Sequence, residues 1–264
     1  MRAILVSVDF ADLLAITLPY NRHHFTDVLV VTTHEDKVTQ WVALENRAQL
    51  FLTNAFYQNG ADFNKWLALE LGLDAFGRDG WLCIMDADVL WPRETSRTVL
   101  QGQRYHEIGR LPLDLKIGNL YTPRRRMLDE SGWQQNLSEL GAPPERLWPD
   151  LPLHPQQVEV AGYTQIFHAN DPHLPSPPWH QTDWRHCGGA DSFFQALWPP
   201  ERKVQPPFEV LHLGPAGLNS CGRVTPRLDR TKFHEAEERR CKVRDYIRGR
   251  AGKYDHHRFD HKRL

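Results

Sequence analysis

Trp81-Leu82-Cys83-Ile84-Met85-Asp86-Ala87-Asp88-Val89 is the stretch on which the fold turns. Its first five residues form a short apolar run that reads as a buried strand, and the run stops on two carboxylates one residue apart. Three comparable runs precede it: residues 2–8, Val28-Leu29-Val30-Val31-Thr32-Thr33 and Gln49-Leu50-Phe51-Leu52-Thr53. Helix-like segments fill the gaps, over residues 13–22, 36–47 and 63–71. Strands alternating with helices predict an α/β sheet built from right-handed crossovers. Ligands of such sheets sit beyond the carboxyl ends of the strands, which singles out Asp9 and Phe10, Thr33 to Asp36, and Asp86 to Asp88.

Regularity fades after residue 110. Nine of the nineteen prolines fall between Pro143 and Pro178, and five of the nine tryptophans between Trp133 and Trp198. Proline removes backbone donors and fixes φ, so long loops are expected there, either carrying substrate recognition or packed down by the tryptophans. Two further strand-like runs, residues 158–168 and 208–213, flank a short helix-like segment over 190–198. No internal repeat is present.

With 41% hydrophobic residues in 264, the chain can bury one substantial core, and no apolar run approaches the roughly 20 residues of a membrane-spanning helix. Met1-Arg2-Ala3-Ile4-Leu5-Val6 enters a strand without signal-peptide features, so a cytoplasmic location is expected, in the host cytoplasm if the chain is phage-encoded. The formal net charge of −1 hides a division. Residues 223–264 hold fourteen of the 32 Lys/Arg but seven of the 33 Asp/Glu, leaving a tail near +7 and a body near −8. The expected organisation is a body over 1–222, in halves 1–110 and 111–222, followed by a basic, partly helical tail. That tail either meets an anionic partner such as nucleic acid or packs on the acidic body.

Cys83, Cys187, Cys221 and Cys241 form no C-x-x-C pair, so reduced, mostly buried thiols are expected. His180, His186 and Cys187 cluster around Asp183, and a small structural zinc site there is the alternative.

Two carboxylates at a strand end can converge on one hard divalent cation, Mg²⁺ or Mn²⁺, that keeps phosphate oxygens in its shell. His212, in Val210-Leu211-His212-Leu213-Gly214-Pro215, is the candidate third ligand, its alternative being a structural histidine. A β/α half, a strand-terminal Asp-x-Asp, a later Gly188-Gly189-Ala190-Asp191 before an apolar helix and a final His212-Leu213-Gly214 follow in order. In that order the chain resembles the GT-A superfamily of nucleotide-sugar-dependent glycosyltransferases, in its small bacterial and bacteriophage, family 2-like members, over roughly residues 2–223.

The resemblance implies a GT-A-like fold: a Rossmann-like nucleotide-binding half with a mixed central sheet, and a loop-rich acceptor half. It implies a nucleotide-sugar donor, usually a UDP-sugar, whose diphosphate is bridged by a divalent cation to Asp86 and Asp88, with His212 completing the shell and Ala87 among the donor contacts. It places Val8, Asp9 and Phe10 at the base and ribose, Thr33 and Asp36 near the nucleobase, and Lys65 near the nucleotide, though Asp36 and Lys65 also read as ordinary turn and surface residues. Arg223 would reach the diphosphate or else belong to the surface charge of the tail. Asp191 is the candidate base for the acceptor hydroxyl, its alternative being a helix cap. Ala190 stands where the inverting enzymes carry Glu before Asp, and His-x-Gly is similar to retaining members, so stereochemistry stays open. The acceptor is a hydroxyl on a glycan, a small molecule or a hydroxymethylated pyrimidine in phage DNA. Nucleotidyl transfer at the same acidic site, and a non-enzymatic nucleic-acid-binding module, are the competing readings.

Overall fold

The computed structural model describes residues 1–91, 114–128, 162–185, 190–206 and 208–213. Its strands in chain order are β1 (Arg2–Val6), β2 (Val28–Thr32), β3 (Gln49–Leu52), β4 (Trp81–Asp86), β5 (Val89–Leu90), β6 (Leu120–Tyr121), β7 (Arg124–Leu128), β8 (Thr164–His168), β9 (Lys203–Val204) and β10 (Glu209–Leu213). The helices are α1 (Ala11–Asn21), α2 (Lys37–Glu45), α3 (Lys65–Phe76) and α4 (Ala190–Gln195).

Seven strands form one sheet in the order β3-β2-β1-β4-β8-β6-β9. β3, β2, β1 and β4 run parallel, while β8 joins β4 antiparallel with Met85 opposite Thr164 and Trp81 opposite His168. The α/β expectation with a mixed central sheet therefore holds. A second sheet has the order β5-β10-β7. β4 ends in the large sheet and β5 begins in the small one, so the two-residue step Ala87-Asp88 is the junction between them.

The parallel strands are apolar throughout because both faces are covered. Ile4, Val6, Leu29, Val31, Leu82 and Ile84 face Trp66, Leu69 and Leu73 of α3, with Phe194 and Trp198 beyond. The alternate residues Ala3, Leu5, Val28, Val30, Cys83 and Met85 pack with Leu14 and Leu18 of α1 and Val42 and Ala43 of α2. Gly72 lets α3 close on the sheet, since a Cβ there would stand 2.6 Å from Val31 Cγ2. Asp36 and Asn64 start α2 and α3 by accepting the N–H groups of Thr39 at 3.1 Å and Leu67 at 3.0 Å.

The later half departs from the sequence expectation. β6 and β9 are two-residue strands whose pairing is set by distant partners, and β7 forms in a stretch where no strand was expected. The strand expected over 158–168 is described from Thr164 onward. The boundary at residue 222, the basic tail and its expected helix lie outside the described residues. Among the described residues, no helix is long and apolar enough to cross a membrane.

Candidate functional site

The Asp-x-Asp junction is gripped from several elements. Thr17 Oγ1, from α1, donates to the Ala87 carbonyl at 2.6 Å. One turn later Asn21 donates to the Val89 carbonyl at 2.6 Å and accepts the Trp91 N–H at 2.8 Å. The Asp86 N–H reaches the Tyr163 carbonyl at 2.9 Å, and the Asp88 carbonyl accepts from Leu213 N–H at 2.8 Å. Thr17 and Asn21 escaped the sequence reading because polar residues inside a helix look like ordinary surface positions, yet both are buried. Asn21→Ala leaves two buried backbone groups without this partner and is expected to cost about 2–4 kcal/mol, read from urea unfolding. An unchanged midpoint would show that water replaces the amide.

The grip brings together three donors from two sheets. Asp86, Asp88 and His212 each offer a ligand atom, all within 4.8 Å of one another. His212 lies opposite Val89 in the β5–β10 ladder, which sets its Nε2 3.5 Å from Asp88 Oδ1. Asp88 and His212 are buried at 4% and 8% exposure, while the Asp86 carboxylate remains 31% exposed. Ligands about 2.1 Å from an ion lie at most about 4.2 Å apart, so this set closes on a small divalent cation with a shift of roughly half an ångström. Two carboxylates and an imidazole suit Mn²⁺ or Mg²⁺ with coordination positions left for other oxygens. The Lys65 ammonium, from the first turn of α3, pairs with Asp86 Oδ1.

The other expected contacts line the same strand ends. Val8 is buried, and Asp9 holds a left-handed backbone at φ 60°, a conformation of limited stability for a non-glycine residue. Its N–H donates to Asp36 Oδ2 at 2.7 Å, an oxygen that also accepts from Thr32 Oγ1 at 3.4 Å. Thr33 Oγ1 in turn accepts the Asp36 N–H at 3.2 Å. Asp36 is thus both the cap of α2 and the strut that fixes the β1 loop, with Phe10 entering α1 beside it. Tyr57 was not anticipated. It stands half exposed after β3, and burial together with the charges of Asp9, Asp36 and Glu35 pushes its phenol above the ordinary value.

Asp191 sits in the first turn of α4. A Cβ at Gly162 would fall 2.3 Å from its Oδ2, so this carboxylate rests directly against the backbone of Gly162. The next residue, Tyr163, bonds Asp86, which places Asp191 at the same end of the sheet as the acidic pair. Arg125, from β7, lies 4.7 Å over the Tyr163 ring, whose edge faces His212 at 6.3 Å. Arg223, Gly188 and Gly189 lie outside the described residues.

His180 is held by a buried carboxylate and two aromatic rings. Its Nδ1 is 2.6 Å from Glu70 Oε1, and its ring is stacked between Trp66 at 4.8 Å and Phe194 at 4.1 Å. Glu70 also accepts the backbone N–H groups of Trp179 and His180, at 3.1 and 3.0 Å, and the Arg78 guanidinium at 2.7 Å. This lock between α3 and the 179–185 segment occupies the His180 Nδ1 nitrogen; His186 and Cys187 lie outside the described residues. Cys83 is buried and its thiol pKa is pushed up by burial, the inert thiol expected.

Burial holds the His180 imidazole below its ordinary value. For Glu70 burial acts upward, but its bonds with His180 and the charges of His180 and Arg78 prevail and hold it low. Both groups bind protons more readily in the unfolded chain, so stability falls with falling pH. Thermal melts are expected to shift downward below about pH 6.5 as His180 must charge, and further below about pH 4.3 as Glu70 protonates. A melting temperature flat from pH 7 to pH 4 would contradict the lock.

No family model and no curated protein matches the chain by sequence. In structure it is similar to a mannosyltransferase from Pyrobaculum calidifontis in complex with GDP-Man and Mn²⁺, at 17% identity and a TM-score of 0.48, covering 82% of this chain and 57% of that one. It is similar also to glucosyl-3-phosphoglycerate synthase from Mycobacterium tuberculosis in complex with Mn²⁺, UDP and glucosyl-3-phosphoglycerate, at 15% identity and a TM-score of 0.42, covering 81% and 69%. A mycobacterial protein matches at 15% identity and a TM-score of 0.44, covering 81% of this chain and 65% of that one.

Proposed function

We propose that this chain is a metal-dependent glycosyltransferase of GT-A type that moves a sugar from a nucleoside-diphosphate sugar to a hydroxyl acceptor. The observation that carries the reading is the convergence of Asp86, Asp88 and His212 at the junction of two sheets, beyond the carboxyl ends of parallel strands. Asp86, Asp88 and His212 would hold Mn²⁺ or Mg²⁺, which when bound neutralises the charge that develops on a departing diphosphate. The Asp9–Asp36 loop, with Val8, Phe10 and Thr33, borders the space for base and ribose, and the Tyr57 ring offers a flat face beside it. Lys65 brings a positive charge to the phosphate side. Asp191, held against Gly162, is the base that takes the proton of the acceptor hydroxyl as the new glycosidic bond forms.

A UDP-sugar is the first donor to try, and the acceptor is proposed as a hydroxyl compound without narrower identity. The basic residues 223–264, on which a DNA acceptor rests, lie outside the described residues, and a phage origin rests on the resemblance alone.

Product identification tests the reading. Incubation with Mn²⁺ and a panel of UDP- and GDP-sugars is expected to release nucleoside diphosphate from one of them, and EDTA to stop it. Release of pyrophosphate from a nucleoside triphosphate instead would assign nucleotidyl transfer to the same acidic site. DNA binding that needs neither metal nor nucleotide would assign a binding module.

A further inference from the structure

Lys65 is placed where a cation would have to bind. It opens α3, whose start is fixed by Asn64: the Asn64 side chain caps Leu67 N–H and donates to the Thr182 carbonyl at 2.7 Å. Its side chain is 14% exposed, the ammonium lies 5.0 Å from the Trp66 ring centroid, and it pairs with Asp86 Oδ1. A largely desolvated ammonium therefore already neutralises one of the three candidate ligands.

We propose that Lys65 is a resident counter-cation that holds Asp86 until a nucleoside diphosphate arrives, so that divalent cation and nucleotide bind as a pair. The inference rests on the cation-site reading above. A divalent ion on Asp86 either displaces the ammonium or takes the second carboxylate oxygen and leaves the two positive charges within one carboxylate's width. Both are unfavourable in a partly buried site unless the ammonium gains another anion. The diphosphate is such an anion: it ligates the metal and offers Lys65 a new partner in the same step. Because binding couplings are reciprocal, nucleotide must tighten metal binding by the same factor that metal tightens nucleotide binding. The arrangement also keeps Asp86 and Asp88 from facing each other uncompensated when no cation is present.

The test is titration of Mn²⁺ into the full chain, followed by loss of the free Mn²⁺ paramagnetic resonance signal, with and without saturating UDP. Wild type is expected to bind Mn²⁺ weakly alone and about tenfold or more tightly with UDP. Lys65→Met is expected to bind Mn²⁺ alone about tenfold more tightly than wild type, with the UDP effect much reduced. Lys65→Arg keeps the charge and should follow wild type; Lys65→Gln serves as the neutral variant should Lys65→Met not fold. Unchanged or weaker Mn²⁺ binding by the folded neutral variant, with wild type still taking up Mn²⁺ in the presence of UDP, overturns this proposal alone. No uptake by wild type even with UDP overturns the cation-site reading beneath it as well.

Discussion

Replacing Asp88 by Ala is expected to lower sugar transfer by at least about 10³-fold while leaving the fold intact. A cation facing a leaving diphosphate is worth several kcal/mol of barrier, and each 1.36 kcal/mol is tenfold in rate. Asp88 is the most buried of the three ligand residues, its backbone carbonyl is tied to Leu213, and its carboxylate faces His212 at 3.5 Å. The backbone bonds made by Thr17, Asn21 and Leu213 do not involve the Asp88 side chain, so the junction should keep its shape without it. The measurement is turnover of the donor identified for wild type, set beside a thermal melt. Turnover within tenfold of wild type in a folded Asp88→Ala protein would remove the acidic pair from the chemistry.

Asp191→Asn is expected to lower kcat by about 10³-fold with little change in the KM for the donor. General-base assistance contributes roughly 10²–10⁴ in rate, and the amide keeps the shape of the carboxylate while losing its basicity. The split matters because Asp191 packs against Gly162, and a purely structural residue there would disturb stability and both constants together. Donor hydrolysis without acceptor, which draws on the metal and not on the base, should fall much less than transfer. A variant that transfers sugar at the wild-type kcat would return Asp191 to the role of a helix-start residue.

The Asp86–Asp88–His212 cluster was legible in the sequence because its physical cause is local. Trp81 to Met85 alternate between two covered faces of a sheet and must be apolar, so the two carboxylates that end the run are conspicuous. His212 was visible for the same reason, as a polar side chain closing an apolar strand. The parallel half of the sheet followed from alternating strand and helix patterns.

What stayed illegible depends on partners far away in the chain. The two-residue strands β6 and β9 have no pattern of their own and exist through pairing with β8 and with each other. Thr17 and Asn21 acquire meaning only because the backbone of residues 87–91 passes beside α1. His180 read as a possible metal ligand by its neighbours in sequence, and its bond to Glu70, 110 residues away, could not be read from them. Asp36, read from the sequence as a nucleobase contact or an ordinary turn residue, is in the structure the cap of α2 and the strut beneath Asp9. Tyr57 follows a strand end at a position with no motif, so only the approach of Asp9, Glu35 and Asp36 singles it out.

The central claim is that Asp86, Asp88 and His212 form one cation site that carries a nucleoside diphosphate. A crystal structure with Mn²⁺ and UDP tests it most directly. The account predicts Mn²⁺ bound to Asp88 and His212, bridged to diphosphate oxygens, with the Lys65 ammonium moved from Asp86 toward the phosphates. UDP bound elsewhere, or the three side chains splayed apart with no metal among them, would contradict it.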